Sequence, residues 1–236
     1  MSKVEQKDLD ITIINHVRRR LSEDSRLCFV VSGSYAIEAL TRSDSITHSD
    51  IDSNVFTQDS SAAMKAIPAL LSRRHVSDVD FSLYKLTSDR IEYDVQANVE
   101  CPECPKSRLE IHVLSAKSIE EMCVILDDSA HNRLARVDLT ETELADSAGN
   151  SSKILVKSLA YSVATWALRI SDAAQNQLRP VRQSDIDSFM LLLEQGTDSV
   201  DVIKAMENHP QMPMGANAQE IYQSALTKVG KSQIKS

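Results

Sequence analysis

Four cysteines in 236 residues, at Cys28, Cys101, Cys104 and Cys123, are too few for a disulfide framework and suit a reducing compartment. No apolar stretch is long enough to cross a bilayer: the longest, Ile154 to Leu168, is interrupted by Lys157. Met1 to Asp10 has no apolar core of the kind a secretory signal carries, so a cytoplasmic location with no membrane partner is expected. Only five glycines occur, so each one placed beside a buried strand invites a reason. With 42% hydrophobic and 25% charged residues, the composition fits one large globular domain or two small ones, and excludes collagen-like and disordered chains.

Basic charge is also in deficit, 26 Lys/Arg against 34 Asp/Glu, for a net charge of -8. That argues against a protein that coats nucleic acid, because phosphate-backbone binding needs a basic field. The deficit is uneven. Residues 1–152 hold 17 basic and 26 acidic residues, whereas residues 153–236 hold nine and eight. The first region is where a metal or a cationic substrate is expected; the second is neutral enough for a polyanion to dock.

Apolar spacing divides the chain the same way. Ile11, Ile14, Val17 and Leu21 recur at three and four residues and predict an opening helix. Leu27 to Val31, closed by Ser32-Gly33-Ser34, predicts a buried strand ending in a tight turn, with a short helix over Tyr35 to Leu40. Further strands are expected over Asp50 to Thr57, Phe81 to Leu86, Arg90 to Val99 and Arg108 to Leu114, with a hairpin turn at Thr87-Ser88-Asp89 and a Pro68-containing helix over Ser60 to Arg73. Ser118 and Glu121 read as a capping box opening a helix to about Leu126, and Asn132 to Leu139 as one more strand. Beyond Gly149 the pattern is helical: Ile154 to Ala174, Ser184 to Leu193, Val200 to Asn208 and Ala218 to Val229. The expectation is an α+β chain, with a mixed-sheet core over residues 1–150 and a helical domain over residues 151–236.

The densest chemistry lies in Val30-Val31-Ser32-Gly33-Ser34-Tyr35-Ala36-Ile37-Glu38 and His48-Ser49-Asp50-Ile51-Asp52. A strand entering Gly-Ser and then a helix aims backbone N–H groups and a hydroxyl at one point, which suits a phosphate. Asp50 and Asp52 are two apart on an extended segment, so both carboxylates face one side, where hard oxygen ligands can hold Mg²⁺. Ile91-Glu92-Tyr93-Asp94-Val95 alternates and could supply a third acid.

This order of motifs resembles the nucleotidyltransferase superfamily related to DNA polymerase β: an apolar strand, Gly-Gly or Gly-Ser, Asp-x-Asp, then an acid between apolar residues. Tyr35-Ala36-Ile37-Glu38 and His48-Ser49-Asp50-Ile51-Asp52 are most similar to the aminoglycoside and lincosamide nucleotidyltransferases of antibiotic resistance, and abortive-infection toxin-antitoxin enzymes share the outline. The resemblance implies a mixed sheet flanked by helices and a Mg²⁺-dependent transferase, with ATP or another NTP as co-substrate. It further implies an acceptor that is an antibiotic-like small molecule, tRNA or other RNA, or protein. Asp50, Asp52 and Asp94 would be the catalytic, metal-binding acids around two Mg²⁺ ions, with Glu92 and Glu110 as alternatives to Asp94. Gly33, Ser34, Lys157 and Arg182 would bind the nucleotide. Lys157 and the Arg179 to Asp187 segment resemble a helix-borne Lys followed by Arg-x-Lys-Asp-x-x-Asp, with Gln183 and Ser184 in place of the usual Lys and Asp. The general base would be Asp94, Asp185 or Asp187. The likeness spans residues 27–100 well and 153–195 loosely.

Plainer readings stand beside these. Asp-x-Asp also occurs in solvated turns, Gly33 could serve a turn alone, and Lys157 could snorkel from an amphipathic helix. His48 is read as a turn residue with at most a phosphate or loop contact, and Trp166 as helical core. Cys101-Pro102-Glu103-Cys104 is half a zinc knuckle, better read as a hairpin loop. A catalytically silent nucleotidyltransferase-like binding module is the rival to an enzyme. An α/β hydrolase is disfavoured because no nucleophile elbow occurs.

Overall fold

The computed structural model describes residues 3–44, 46–72, 79–97, 106–118, 123–125, 134–174 and 180–233. Helix α1 (Lys3–Leu21) precedes strand β1 (Cys28–Val31), helix α2 (Gly33–Thr41), strand β2 (Ile51–Thr57) and helix α3 (Ser60–Leu71). Three strands follow, β3 (Val79–Leu86), β4 (Arg90–Ala97) and β5 (Lys106–Ser115), then the small pair β6 (Cys123–Ile125) and β7 (Leu134–Arg136). A hairpin of β8 (Leu139–Ala145) and β9 (Ser151–Lys157) leads into helices α4 (Leu159–Ile170), α5 (Gln183–Leu193), α6 (Ser199–Glu207) and α7 (Ala218–Gln233).

Seven strands form one mixed sheet in the order β3-β4-β5-β2-β1-β9-β8. β1 is antiparallel to β2 and parallel to β9, and β2 is parallel to β5, so the expected α+β class holds. Alternation along the central strands sends Ile51, Val55, Ile91, Tyr93, Leu109 and Ile111 to one face, where Ile13, Ile14, Val17 and Leu21 of α1 and Ile67 of α3 cover them. The three- and four-residue spacing read in α1 is this buried stripe, and each such side chain contributes about 1.5–3 kcal/mol of transfer free energy. A second core is built by the last four helices, around Val163, Phe189, Leu192, Val202, Met206 and Tyr222, and reaches α2 through Ile37. No helix among the described residues is long and apolar enough to cross a membrane.

Two expected helices are corrected. Residues 123–125, placed in a helix running to about Leu126, form β6, which pairs antiparallel with β7. The helix expected from Ile154 to Ala174 is a strand and then a helix. Ile154 and Val156 alternate into the sheet core beside β1. Ser158 then caps the new helix by accepting a hydrogen bond from the Tyr161 N–H at 3.3 Å. Asp146-Ser147-Ala148-Gly149-Asn150 is the overlooked turn: the Asp146 carboxylate accepts from the N–H groups of Ala148 and Asn150, and Gly149 takes φ +83°. The expected strand over 132–139 is divided between β7 and the start of β8. Cys101 to Cys104, read as a hairpin loop in the sequence, and Arg179 lie outside the described residues.

One buried group in α1 makes stability depend on pH. His16 is 4% exposed, stacks on Phe81, and neither ring nitrogen has a hydrogen-bond partner among the described residues. Burial, reinforced by Arg19 and Arg20, holds its pKa below the ordinary 6.5. The unfolded chain therefore binds a proton more readily than the folded one, and stability present above pH 6.5 is lost as pH falls toward the lower folded pKa. His16→Leu is expected to lose less stability than the wild type between pH 7.5 and the acid side of 6.5, read as urea midpoints. An equal acid loss in both proteins would show that His16 carries none of it.

Candidate active site

The site is assembled where β1 ends. Val31 pairs with Ser53 of β2, and the Ser32 N–H donates to the Asp52 carbonyl at 2.9 Å, bringing the Gly-Ser turn alongside the Asp-x-Asp strand. Gly33 then opens α2 in the left-handed region, φ +63°. A Cβ at this position would stand 2.3 Å from Asp52 Oδ2 and 2.9 Å from Asp52 Cβ. The Asp52 carboxylate therefore fills the space that a side chain at residue 33 would need, which is why this one glycine matters. Ser32 makes no side-chain cap and α2 has no acid in its first turn, so the helix N-terminus keeps donor N–H groups for an anion.

Gly33, Ser34, Asp50 and Asp52 line a cavity of about 810 Å³. Its opposite wall is α4 and α5, through Trp166, Arg182, Asp185 and Asp187. Five of the residues expected from the sequence, Gly33, Ser34, Asp50, Asp52 and Arg182, thus meet around one space, although Arg182 is almost 150 positions from the glycine. Asp50 accepts a hydrogen bond from the Ser49 hydroxyl at 2.6 Å. Asp185 is 2% exposed and tied down, accepting from the Arg182 N–H at 2.8 Å and pairing with Arg169 Nε at 3.3 Å. Asp187 is exposed and is touched by Gln183 Nε2 at 2.9 Å.

Two expected residues are not brought there. Asp94 lies on β4 opposite Arg108, with which it pairs at 3.6 Å. In the strand order β4-β5-β2 it stands two strands and two residues from Asp52, roughly 12 Å away at ordinary sheet spacing. The carboxylate directly beside Asp52 in the parallel register is Glu110 of β5, one of the two alternatives read in the sequence. Glu110 is held by Arg90 at 3.2 Å and His112 at 2.5 Å, and Glu92 lies one strand further, near Lys85 and Arg90. Lys157 ends β9 instead of riding on a helix, and it is absent from the cavity lining. Its ammonium lies 5.8 Å from the Tyr161 ring centroid, and burial pulls its pKa down to about 8.

His48 does more than its sequence position suggests. Its Nε2 lies 2.6 Å from Glu38 and its Nδ1 2.8 Å from the Ser34 hydroxyl, while its ring stacks on Tyr35 at 3.8 Å. A neutral ring that donates from Nε2 and accepts at Nδ1, and an imidazolium that donates from both nitrogens, each satisfy these contacts, because the Ser34 hydroxyl can give or take a hydrogen bond. Burial opposes ionisation of Glu38, but hydrogen bonds and charge from His48 and Lys7 outweigh it and hold its carboxyl below the ordinary range. Nothing in a lone His fourteen residues after a Ser announces this bridge; the fold makes it by laying the loop before β2 across α2.

Whether the site suits the Mg²⁺ that the motif resemblance implies is decided by its donors. Asp50 and Asp52 are hard oxygen ligands, and Asp52 is braced against the Gly33 backbone. Among the described residues no group of three or more His, Cys, Asp and Glu side chains converges. Two carboxylates with the remaining ligands drawn from phosphate and water are an ordinary magnesium set, so the residues fit the ion.

No protein-family model matches the chain, and no curated protein matches it in sequence. Among solved structures it is similar to an antigenic nucleotidyltransferase-like protein from Paracoccidioides brasiliensis, with TM-score 0.50 and 13% identity over 97% of this chain and 89% of that one. It is also similar to the lincosamide antibiotic adenylyltransferase LnuA bound to lincomycin, with TM-score 0.49 and 14% identity over 79% of this chain and 96% of that one. For JHP933 from Helicobacter pylori the TM-score is 0.46, with 11% identity over 98% and 95% of the two chains. The likeness to the first of these establishes a nucleotidyltransferase-like fold.

Proposed function

We propose that this chain is a Mg²⁺-dependent nucleotidyltransferase, moving a nucleoside monophosphate from ATP or another NTP to an acceptor hydroxyl with release of pyrophosphate. The observation that carries the reading is the packing of Asp52 against the Gly33 backbone at the open N-terminus of α2, with Asp50 beside it in one cavity. The N–H groups at the start of α2 hold the phosphates, and Ser34 contributes its backbone N–H while its hydroxyl is engaged by His48. Asp50 and Asp52 would hold the metal, with Glu110 the nearest further carboxylate along the register. When bound, Mg²⁺ offsets phosphate charge and stabilises the departing pyrophosphate. Arg182, across the cavity, adds a fixed positive charge for the same group. Asp187 is exposed on that wall and is the candidate general base, because Asp185 is committed to Arg169. The acceptor is a small molecule, an RNA or a protein.

A nucleotide-binding module without turnover is the second reading, favoured by the engagement of Glu110 with Arg90 and His112. Calorimetric titration of ATP and then the other three NTPs, with and without Mg²⁺, tests both. Metal-dependent binding is expected in the wild type, weakened at least about tenfold in Asp50→Asn and Asp52→Asn. Pyrophosphate release on screening acceptors separates enzyme from module. Binding that is indifferent to metal and to both substitutions would remove the nucleotide site from this cavity.

A further inference from the structure

We infer that the outer edge of the sheet, strand β3, is an interface for a second copy of this chain. β3 ends the seven-strand order, so among the described residues no strand of the subunit pairs with the outer side of Asp80 to Leu86. Only five large apolar residues stand exposed among the described residues, and three lie on this strand: Leu83 at 50%, Tyr84 at 57% and Leu86 at 53%. Val200 and Met214, the other two, are elsewhere in the helical region. The opposite edge, β8, carries Glu141 and Glu143 on exposed positions, where like charge opposes pairing with another copy. β3 reads Val-Asp-Phe-Ser-Leu-Tyr-Lys-Leu, with neither proline nor a charge of one sign to the same effect.

The choice of a second copy follows from the register. β3 pairs with β4 through a bulge between Leu83 and Lys85, so Tyr84 is the extra residue. Asp80, Ser82 and Lys85 therefore share the face of Gln96, Asp94 and Glu92, while Val79, Phe81, Leu83 and Leu86 share the other. Set two β3 strands antiparallel about a twofold axis at Ser82, leaving Tyr84 out of the ladder as it already is. Asp80 then meets Lys85 of the second copy, Phe81 meets Leu83, and each pair shares a face. Asp80 has no ion pair among the described residues, and the Lys85 side chain is half exposed beyond its contact with Glu92. Phe81 is already fixed by His16 at 5.3 Å and Tyr93 at 5.9 Å, so little order has to be imposed on pairing.

Sedimentation equilibrium of the full chain tests this without reference to nucleotide. A reversible monomer–dimer equilibrium is expected. Asp80→Lys and Lys85→Asp should each weaken it about tenfold or more, and the double variant should return to within about threefold of wild type, since the reversed charges meet again across the axis. Unchanged thermal midpoints keep the comparison among folded proteins. Ser82→Cys, on the axis, should close an intermolecular disulfide that mass spectrometry assigns to residue 82, and Thr87→Cys should not. A chain monomeric at all concentrations, a dimer that neither charge reversal weakens, or a double variant as weak as the singles would overturn the inference.

Discussion

Gly33→Ala is expected to abolish metal-dependent nucleotide binding while leaving the protein folded. The new methyl would sit 2.3 Å from Asp52 Oδ2, so either the carboxylate leaves the cavity or the first turn of α2 moves. The left-handed backbone adds about 1–2 kcal/mol of strain of its own. Displacement of a catalytic group by about an ångström costs on the order of a hundredfold in rate, and transfer, followed as pyrophosphate release, should fall by at least that much. Gly149→Ala is the matched control. It too has positive φ, +83°, but nothing lies within 4 Å of its added Cβ, so it carries the strain without the collision. Its urea midpoint should fall while Mg²⁺-dependent binding stays within about twofold of wild type. Equal binding in the two alanine variants would mean that Asp52 does not need its seat on Gly33.

The legible part of this molecule was the part written in local pattern. Ser32-Gly33-Ser34 after an apolar run, and Asp50-Ile51-Asp52 on an extended segment, carry their chemistry in consecutive side chains, and the fold brings them together. The third acid was not legible, because alternation gives a face and not a register. Glu92, Asp94 and Glu110 all point to the side of the sheet that Asp52 does, and only the pairing of Ile51 with Leu109 decides which is adjacent. Lys157 was misplaced for a related reason. Ser151 to Lys157 and Leu159 to Ile170 form one apolar stretch whose periodicity changes within it, and a single serine, Ser158, marks the change. The β8–β9 hairpin shows the same limit: its turn is clear in Asp146 to Asn150, but its value lies in β9 reaching β1, a partner more than a hundred residues away.

Asp185 and Asp187 look interchangeable in sequence, and the structure predicts opposite consequences for them. Asp185→Ala removes a buried acid that holds Arg169 and accepts the Arg182 N–H at the start of α5. Leaving a largely buried guanidinium without its carboxylate costs about 3–5 kcal/mol, enough to loosen α5 from the helical core that Phe189 and Leu192 anchor. Any loss of transfer in Asp185→Ala should therefore track its lowered thermal midpoint. Asp187→Ala, at an exposed position held among the described residues by a hydrogen bond from Gln183, should shift stability by no more than about 0.5 kcal/mol. If Asp187 takes the acceptor proton, its kcat should fall by about 10²–10⁴ with the nucleotide Kd unchanged. A fall in kcat for Asp185→Ala at full stability, together with none for Asp187→Ala, would exchange the two roles: the acid now read as an anchor for α5 would be the one that moves the proton.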